Sequence, residues 1–158
     1  MAPYLGAQTE EKAVFYDVRT PLKPRLAEAS TTQAPDKEKK ENFDALNAID
    51  ENPATRWSSN FSEPQWLMID FGKTCDVDKM VITWESAYAT SYNIEVSRDR
   101  DNWTEVYSTQ EGKGGAESIA FKPQKTSYIK INCLKRKGQW GFSIWDVSVY
   151  EKKRLVLF

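Results

Sequence analysis

The 158-residue sequence contains no histidine. A Ser-His-Asp or Cys-His nucleophilic centre is thereby excluded, and so is any zinc site built on imidazole ligands. Two cysteines, Cys75 and Cys133, are too few for a disulfide framework or a thiolate metal cluster, and two free thiols are expected. No apolar run approaches the ~18 residues that a membrane-crossing helix needs. The opening MAPYLGAQTEEK also lacks the charged-then-apolar pattern of a signal peptide. An excess of one charge is missing as well: 22 basic and 23 acidic side chains leave a formal net charge of −1. That balance argues against nucleic acid and against anionic membranes as partners, and the mixed-sign run Lys37 to Glu41 reads as a solvated loop.

Aromatic residues are abundant, with six Trp, seven Tyr and seven Phe. A chain of this length suits one domain, and such a domain buries roughly 70% of its unfolded surface without needing disulfides or metal. Most of the aromatics therefore belong to a core, with a few free for sugar or lipid. Trp57, Trp66 and Trp84 are expected in that core.

The pattern after Asn52 is that of strands. Tyr92, Ile94 and Val96 alternate with Asn93, Glu95 and Ser97, the period-two signature of a half-buried strand. Gln65 to Phe71 ends at Gly72, Lys79 to Trp84 is β-branched and aromatic, and Trp103 to Tyr107 follows a turn-forming Arg98 to Asn102. Ser118 to Phe121, Tyr128 to Cys133 and Ser143 to Tyr150 complete the series, with Trp145, Val147 and Val149 sharing a face. Phe43, Leu46 and Ile49 suggest one helical turn, and Glu28 to Glu41 reads as a long polar loop. Strands at short intervals with turns between them predict an all-β sandwich or barrel. Residues 1–22 are expected to be a linker or the end of an upstream domain, 23–151 the domain itself, and 152–158 a C-terminal tail.

The stretch NAIDENPATRW (Asn47 to Trp57) gathers a carboxylate, an amide oxygen and a hydroxyl at Asp50, Asn52 and Thr55. Hard cations such as Ca²⁺ take roughly 6–8 oxygens of these kinds. An EF-hand is excluded: counting from Asp50, the sixth position is Thr55 rather than Gly and the twelfth is Phe61 rather than Glu. The alternative is a turn in which Asp50 and Asn52 accept nearby backbone N–H groups, and spacing alone leaves both readings open.

Taken together, NAIDENPATRWSS, WLMIDFG, YNIEVS and GFSIWDVSVYE (Gly141 to Glu151) resemble the discoidin, or coagulation factor 5/8 type C, domain. The similarity is greatest to the bacterial members classed as family 32 carbohydrate-binding modules. The resemblance implies a galactose-binding-like jelly-roll β-sandwich of about eight strands. It also implies a structural Ca²⁺ held by Asp50, Asn52 and Thr55, closed by Glu151, with carbonyls near Asn47 and Tyr150. It places sugar recognition in loops at one end of the sandwich. Glu85 and Arg136 are then the candidates for sugar hydroxyls, and Tyr88 and Trp140 for stacking on a sugar face.

The implied role is a non-catalytic module, monomeric, that binds glycan and holds an upstream glycoside hydrolase, such as a hexosaminidase or chitobiase, near its substrate. A secreted, periplasmic or cell-surface location follows. A glycosidase would need two carboxylates at set separation, and nothing singles out such a pair. A discoidin-type adhesion module for protein or phospholipid is the other reading, although its loops would need apolar spikes.

Overall fold

The computed structural model describes residues 12–158. It is an all-β fold of eight strands: β1 (Val14–Pro21), β2 (Leu26–Ala29), β3 (Trp57–Ser58), β4 (Gln65–Trp84), β5 (Ala89–Ser97), β6 (Thr104–Thr109), β7 (Ala116–Arg136) and β8 (Ser143–Leu157). Every pairing is antiparallel, in the order β1-β8-β4-β7-β5-β6, with β2 also on β4 and β3 on β8.

Two long strands make the sheet curl. The first half of β4 pairs with the second half of β7, and the second half of β4 with the first half of β7 and with β8. The register slips between Asp70 and Cys75 and between Val77 and Lys79. At the first slip Asp70 accepts the Gly72 N–H at 2.7 Å, while Gly72 sits at φ +73°, the left-handed region that glycine enters without cost. What the sequence divides into separate strands, 65–71 with 79–84 and 118–121 with 128–133, is thus two bent continuous ones. Each slip interrupts the ladder locally while the strand runs on through the bend.

The core lies inside the curl. Leu67 and Ile69 of β4, Tyr92 and Ile94 of β5, and Ile129 and Ile131 of β7 are buried at alternate positions, as period-two strands require. Trp57 and Trp84 join them, whereas Trp66 is only half-buried, with the Lys130 ammonium 5.9 Å from its ring. Both cysteines are free and buried. The expected helical turn is a 3-10 turn over Ala45–Ala48; Phe43, Ala45 and Ala48 face inward and Leu46 faces out.

The two chain ends expected as linker and tail form strands that pair with each other, Val14 opposite Leu157 through Pro21 opposite Tyr150. The alternation of RLVLF complements that of VFYDV. Opposed residues share a face, so Phe15, Asp17, Arg19, Lys152, Arg154 and Val156 lie on one side. That side is polar and internally satisfied: Arg154 covers the Phe15 ring at 4.3 Å, Lys152 reaches Asp17 at 3.7 Å and Arg19 bonds Asp78 of β4. The other side carries Val14, Tyr16, Leu155 and Leu157, all exposed.

Candidate functional site

The loops that follow β3, β4 and β7 converge at one end of the sandwich. Backbone bonds fix their arrangement: the Glu85 N–H donates to the Ser143 carbonyl, the Ser143 N–H to Ala87, and the Lys137 N–H to Tyr88. Gly141 is the tightest point. A Cβ there would lie 2.5 Å from the Asn60 carbonyl oxygen, so only glycine lets the 137–142 loop approach residues 59–61. The Phe142 N–H donates to the Ser59 hydroxyl at 2.8 Å across the same junction.

Trp140, 56% exposed, consequently stands beside Phe61, 48% exposed, their ring centroids 5.3 Å apart and planes at 81°. Together with Glu85, Arg56, Gln33 and Ser86 they line a crevice of about 270 Å³. Glu85 is well set as an acceptor. Burial pushes its carboxyl up, but the Ser86 hydroxyl, the Ala87 N–H at 3.1 Å and Arg56 at 3.8 Å outweigh that and hold it below the usual carboxylate range. Arg56 is fixed in turn by its bond to the Ser143 hydroxyl at 2.7 Å and by lying 4.6 Å over the Phe43 ring. The Gln33 Oε1 is taken by the Ser58 hydroxyl, which leaves its amide N–H groups as donors. The crevice thus offers one ionised acceptor, two donors and an exposed aromatic edge-to-face pair.

Of the four expected sugar-contacting residues, the structure brings Glu85 and Trp140 together. Arg136 is elsewhere employed: its guanidinium donates to the Phe61 carbonyl at 2.9 Å, to the Gln139 carbonyl at 3.4 Å and to Glu63 at 3.3 Å, so it braces the loops that carry the aromatic pair. Tyr88 is half-buried between Gly114, where a Cβ would meet its ring at 2.5 Å, and the Lys137 ammonium at 5.1 Å; it does not line the crevice. Arg56, Phe61 and Gln33, which line the crevice, are not among the sugar contacts expected from sequence. Arg56 carried a signal, lying inside the NPATRW block, whereas Phe61 and Gln33 enter only because their loops fold back onto β3.

The expected cation ligands are dispersed. Asp50 accepts the Asn52 N–H at 2.9 Å and the Thr55 hydroxyl, and the Asn52 side chain accepts the Ala54 N–H at 2.9 Å. This is the Asx-turn arrangement, complete without an ion. Asn47 donates to the carbonyls of Asn42 and Arg56, both at 3.0 Å. Tyr150 and Glu151 stand opposite Pro21 and Thr20 on one side and Lys79 and Val77 on the other, and Glu151 exerts its charge on Cys75. Neither lines the crevice beside Asp50. That crevice, about 230 Å³, is closed instead by Asp146, Val147 and Ser148 of β8. The six-residue set therefore does not fit one ion, and no group of three or more acidic side chains gathers among the described residues. Asp50 and Asp146 do line a common crevice, and carboxylate oxygens are donors of the kind hard cations take.

The family model described as the F5/8 type C domain matches residues 27–147. The chain belongs to the F5/8 type C domain family. Among solved structures, this domain is similar to chitosan-binding module 1 of a chitosanase/glucanase from Paenibacillus sp. IK-5, with 34% identity, 82% of this chain and 95% of that one covered, and a TM-score of 0.74. Module 2 of the same enzyme, solved with chitotriose, gives 33% identity, coverage of 82% and 97%, and a TM-score of 0.74. The family 32 module of NanJ from Clostridium perfringens, solved with galactose, gives 25% identity, coverage of 85% and 100%, and a TM-score of 0.72. A curated relative, the polysaccharide lyase 8 family protein HylA of Enterococcus faecalis, is 28% identical over 68% of this chain. The domain spans only 8% of that relative's length.

Proposed function

We propose that this domain acts as a non-catalytic carbohydrate-binding module and that its glycan lies in the crevice beside Trp140. One observation carries the reading: an exposed tryptophan stands over a crevice that also offers an ionised Glu85, Arg56 and Gln33. A pyranose presents an apolar C–H face and hydroxyls in fixed directions, and such a site answers both, the ring by stacking and the polar groups by hydrogen bonds. The modules of similar fold solved with chitotriose and with galactose support it. The adhesion alternative is less well supported, because the loop end is polar around its one aromatic pair.

The module's place is beside a glycan-degrading enzyme, lyase or hydrolase, with a hexosaminidase or chitobiase as one such parent, outside the cell. Support comes from the longer curated relative and from the apolar side of the β1–β8 ribbon, the kind of surface an adjoining domain covers. Binding there raises the enzyme's effective concentration on its polymer without any chemistry by the module.

A structural Ca²⁺ belongs to the same proposal, held by Asp50, Thr55 and Asp146 rather than by Glu151. The ion would supply charge neutralisation to two carboxylates and tie the 50–55 loop to β8.

A glycan array read with the wild-type domain and with Trp140→Ala, each with and without Ca²⁺, tests the reading. Retention of one family of saccharides by wild type, lost in Trp140→Ala, is expected. Retention of none, or equal retention by both proteins, would overturn it.

A further inference from the structure

Trp140 walls two crevices. The first holds Glu85, Arg56 and Phe61; the second, about 330 Å³, shares Trp140, Ser86 and Ala87 with it and is completed by Lys137, Gly138 and Gln139. The two differ in charge. In the first the Glu85 carboxylate and the Arg56 guanidinium, 3.8 Å apart, offset each other. In the second the ionised group is the Lys137 ammonium, and the ion pairs of its neighbours show why it remains available. Lys135 and Arg136 both take Glu63, at 3.8 and 3.3 Å. Among the described residues no carboxylate pairs with Lys137, whose ammonium lies over the Tyr88 ring at 5.1 Å. Tyr88 thereby gains a use that sequence did not suggest: it sets the direction of a cation rather than stacking on sugar. Gly138 also lines this second crevice, and a Cβ built on it meets nothing within 4 Å.

Resting on the reading of Trp140 as the sugar platform, we propose that the second crevice is a subsite for an anionic sugar unit, recognised by Lys137, adjoining the unit held beside Glu85. The ligand is then an oligosaccharide of at least two units with a uronate or a sulfate ester next to the unit on Trp140. A single neutral sugar would fill only the first crevice.

Calorimetric titration of the wild-type domain with three tetrasaccharides tests this. One alternates N-acetylglucosamine with glucuronate, one is its carboxyl-reduced neutral counterpart, and one is that neutral form carrying a sulfate ester. Wild type is expected to bind at least one anionic form roughly fivefold more tightly than the neutral one, the ratio an exposed ion pair yields, and which form it prefers identifies the anion. Lys137→Gln should abolish that ratio. Gly138→Leu, which fills the crevice, should weaken all three tetrasaccharides and spare a monosaccharide. An unchanged ratio in Lys137→Gln, or no anionic preference in wild type while Trp140→Ala still abolishes binding, would overturn the subsite and leave the glycan site standing. Absence of binding to every saccharide would overturn both.

Discussion

Phe61 and Trp140 meet edge to face at 5.3 Å, carried on loops that follow β3 and β7 and held together by Arg136, which donates to the carbonyls of Phe61 and Gln139. The aromatic platform is therefore a product of loop packing, and its parts are separable by mutation.

Trp140→Ala removes the exposed ring. Glycan affinity is expected to fall at least about tenfold, the loss of a stacking contact and its excluded water, while the melting temperature changes little because the ring is more than half exposed. Calorimetry and thermal melting check both. A normal affinity would show that the ring is not the platform.

Arg136→Ala acts differently. Loss of three loop-bracing hydrogen bonds, to Phe61, Gln139 and Glu63, should lower the melting temperature as well as the affinity. The Arg136 backbone N–H, which also donates to Glu63, is retained by alanine, so the fall should be partial. Arg136→Lys should rescue poorly, since a single ammonium cannot serve acceptors spread around a planar fork. An Arg136→Ala protein with wild-type melting and lowered affinity would instead mark Arg136 as a direct ligand.

Acid should act on binding and on folding at different groups. Hydrogen bonds hold Glu85 below the usual carboxylate range, so affinity should stay flat as pH falls to about 4.5 and drop only below it. Asp78 is nearly buried, and its carboxyl is lowered chiefly by the two hydrogen bonds from Arg19, at 3.0 and 2.6 Å. A depressed folded pKa gives stability that is present above the ordinary aspartate value of about 3.9 and is lost as pH falls through the folded value. Melting curves from pH 6 to 2 should therefore fall more steeply for wild type than for Arg19→Gln. Parallel profiles would contradict the pairing.

Calcium should raise the melting temperature through linkage, and chelator should lower it. Asp146→Asn should abolish that response, whereas Glu151→Gln should retain it. The reverse pattern would restore Glu151 as the ligand, and no response to Ca²⁺ in wild type would leave Asp50 and Asn52 as turn residues alone.

The fold was largely legible because alternation is a local property. Tyr92, Ile94 and Val96, or Val147 and Val149, point inward whatever lies across the sheet. Of the crevice proposed as the glycan site, sequence picked out only residues whose own chemistry sufficed, Trp140 and Glu85. Phe61 and Gln33 depend on which loops come together, and Arg136 looked like a ligand because spacing does not tell a guanidinium's partners. Glu151 lies away from the crevice beside Asp50 for a geometric reason. A register shift where Thr83 opposes Asp146 and Trp84 opposes Ile144 accompanies the position of Asp146 beside Asp50, and strand residues five apart, as Asp146 and Glu151 are, are separated by about 16 Å. The pairing of residues 152–157 was not legible because their partner, residues 14–19, lies at the far end of the sequence.

The most direct test of the glycan site is a two-dimensional NMR titration of the labelled domain with the saccharide that an array selects. The Trp140 indole N–H is assigned by its disappearance in Trp140→Phe. The account predicts that this resonance and the backbone amides of Ser86, Ala87 and Phe61 shift together with one dissociation constant, while those of the β1–β8 ribbon stay fixed. Shifts confined to the ribbon or the open sheet face, with Trp140 unmoved, would contradict it.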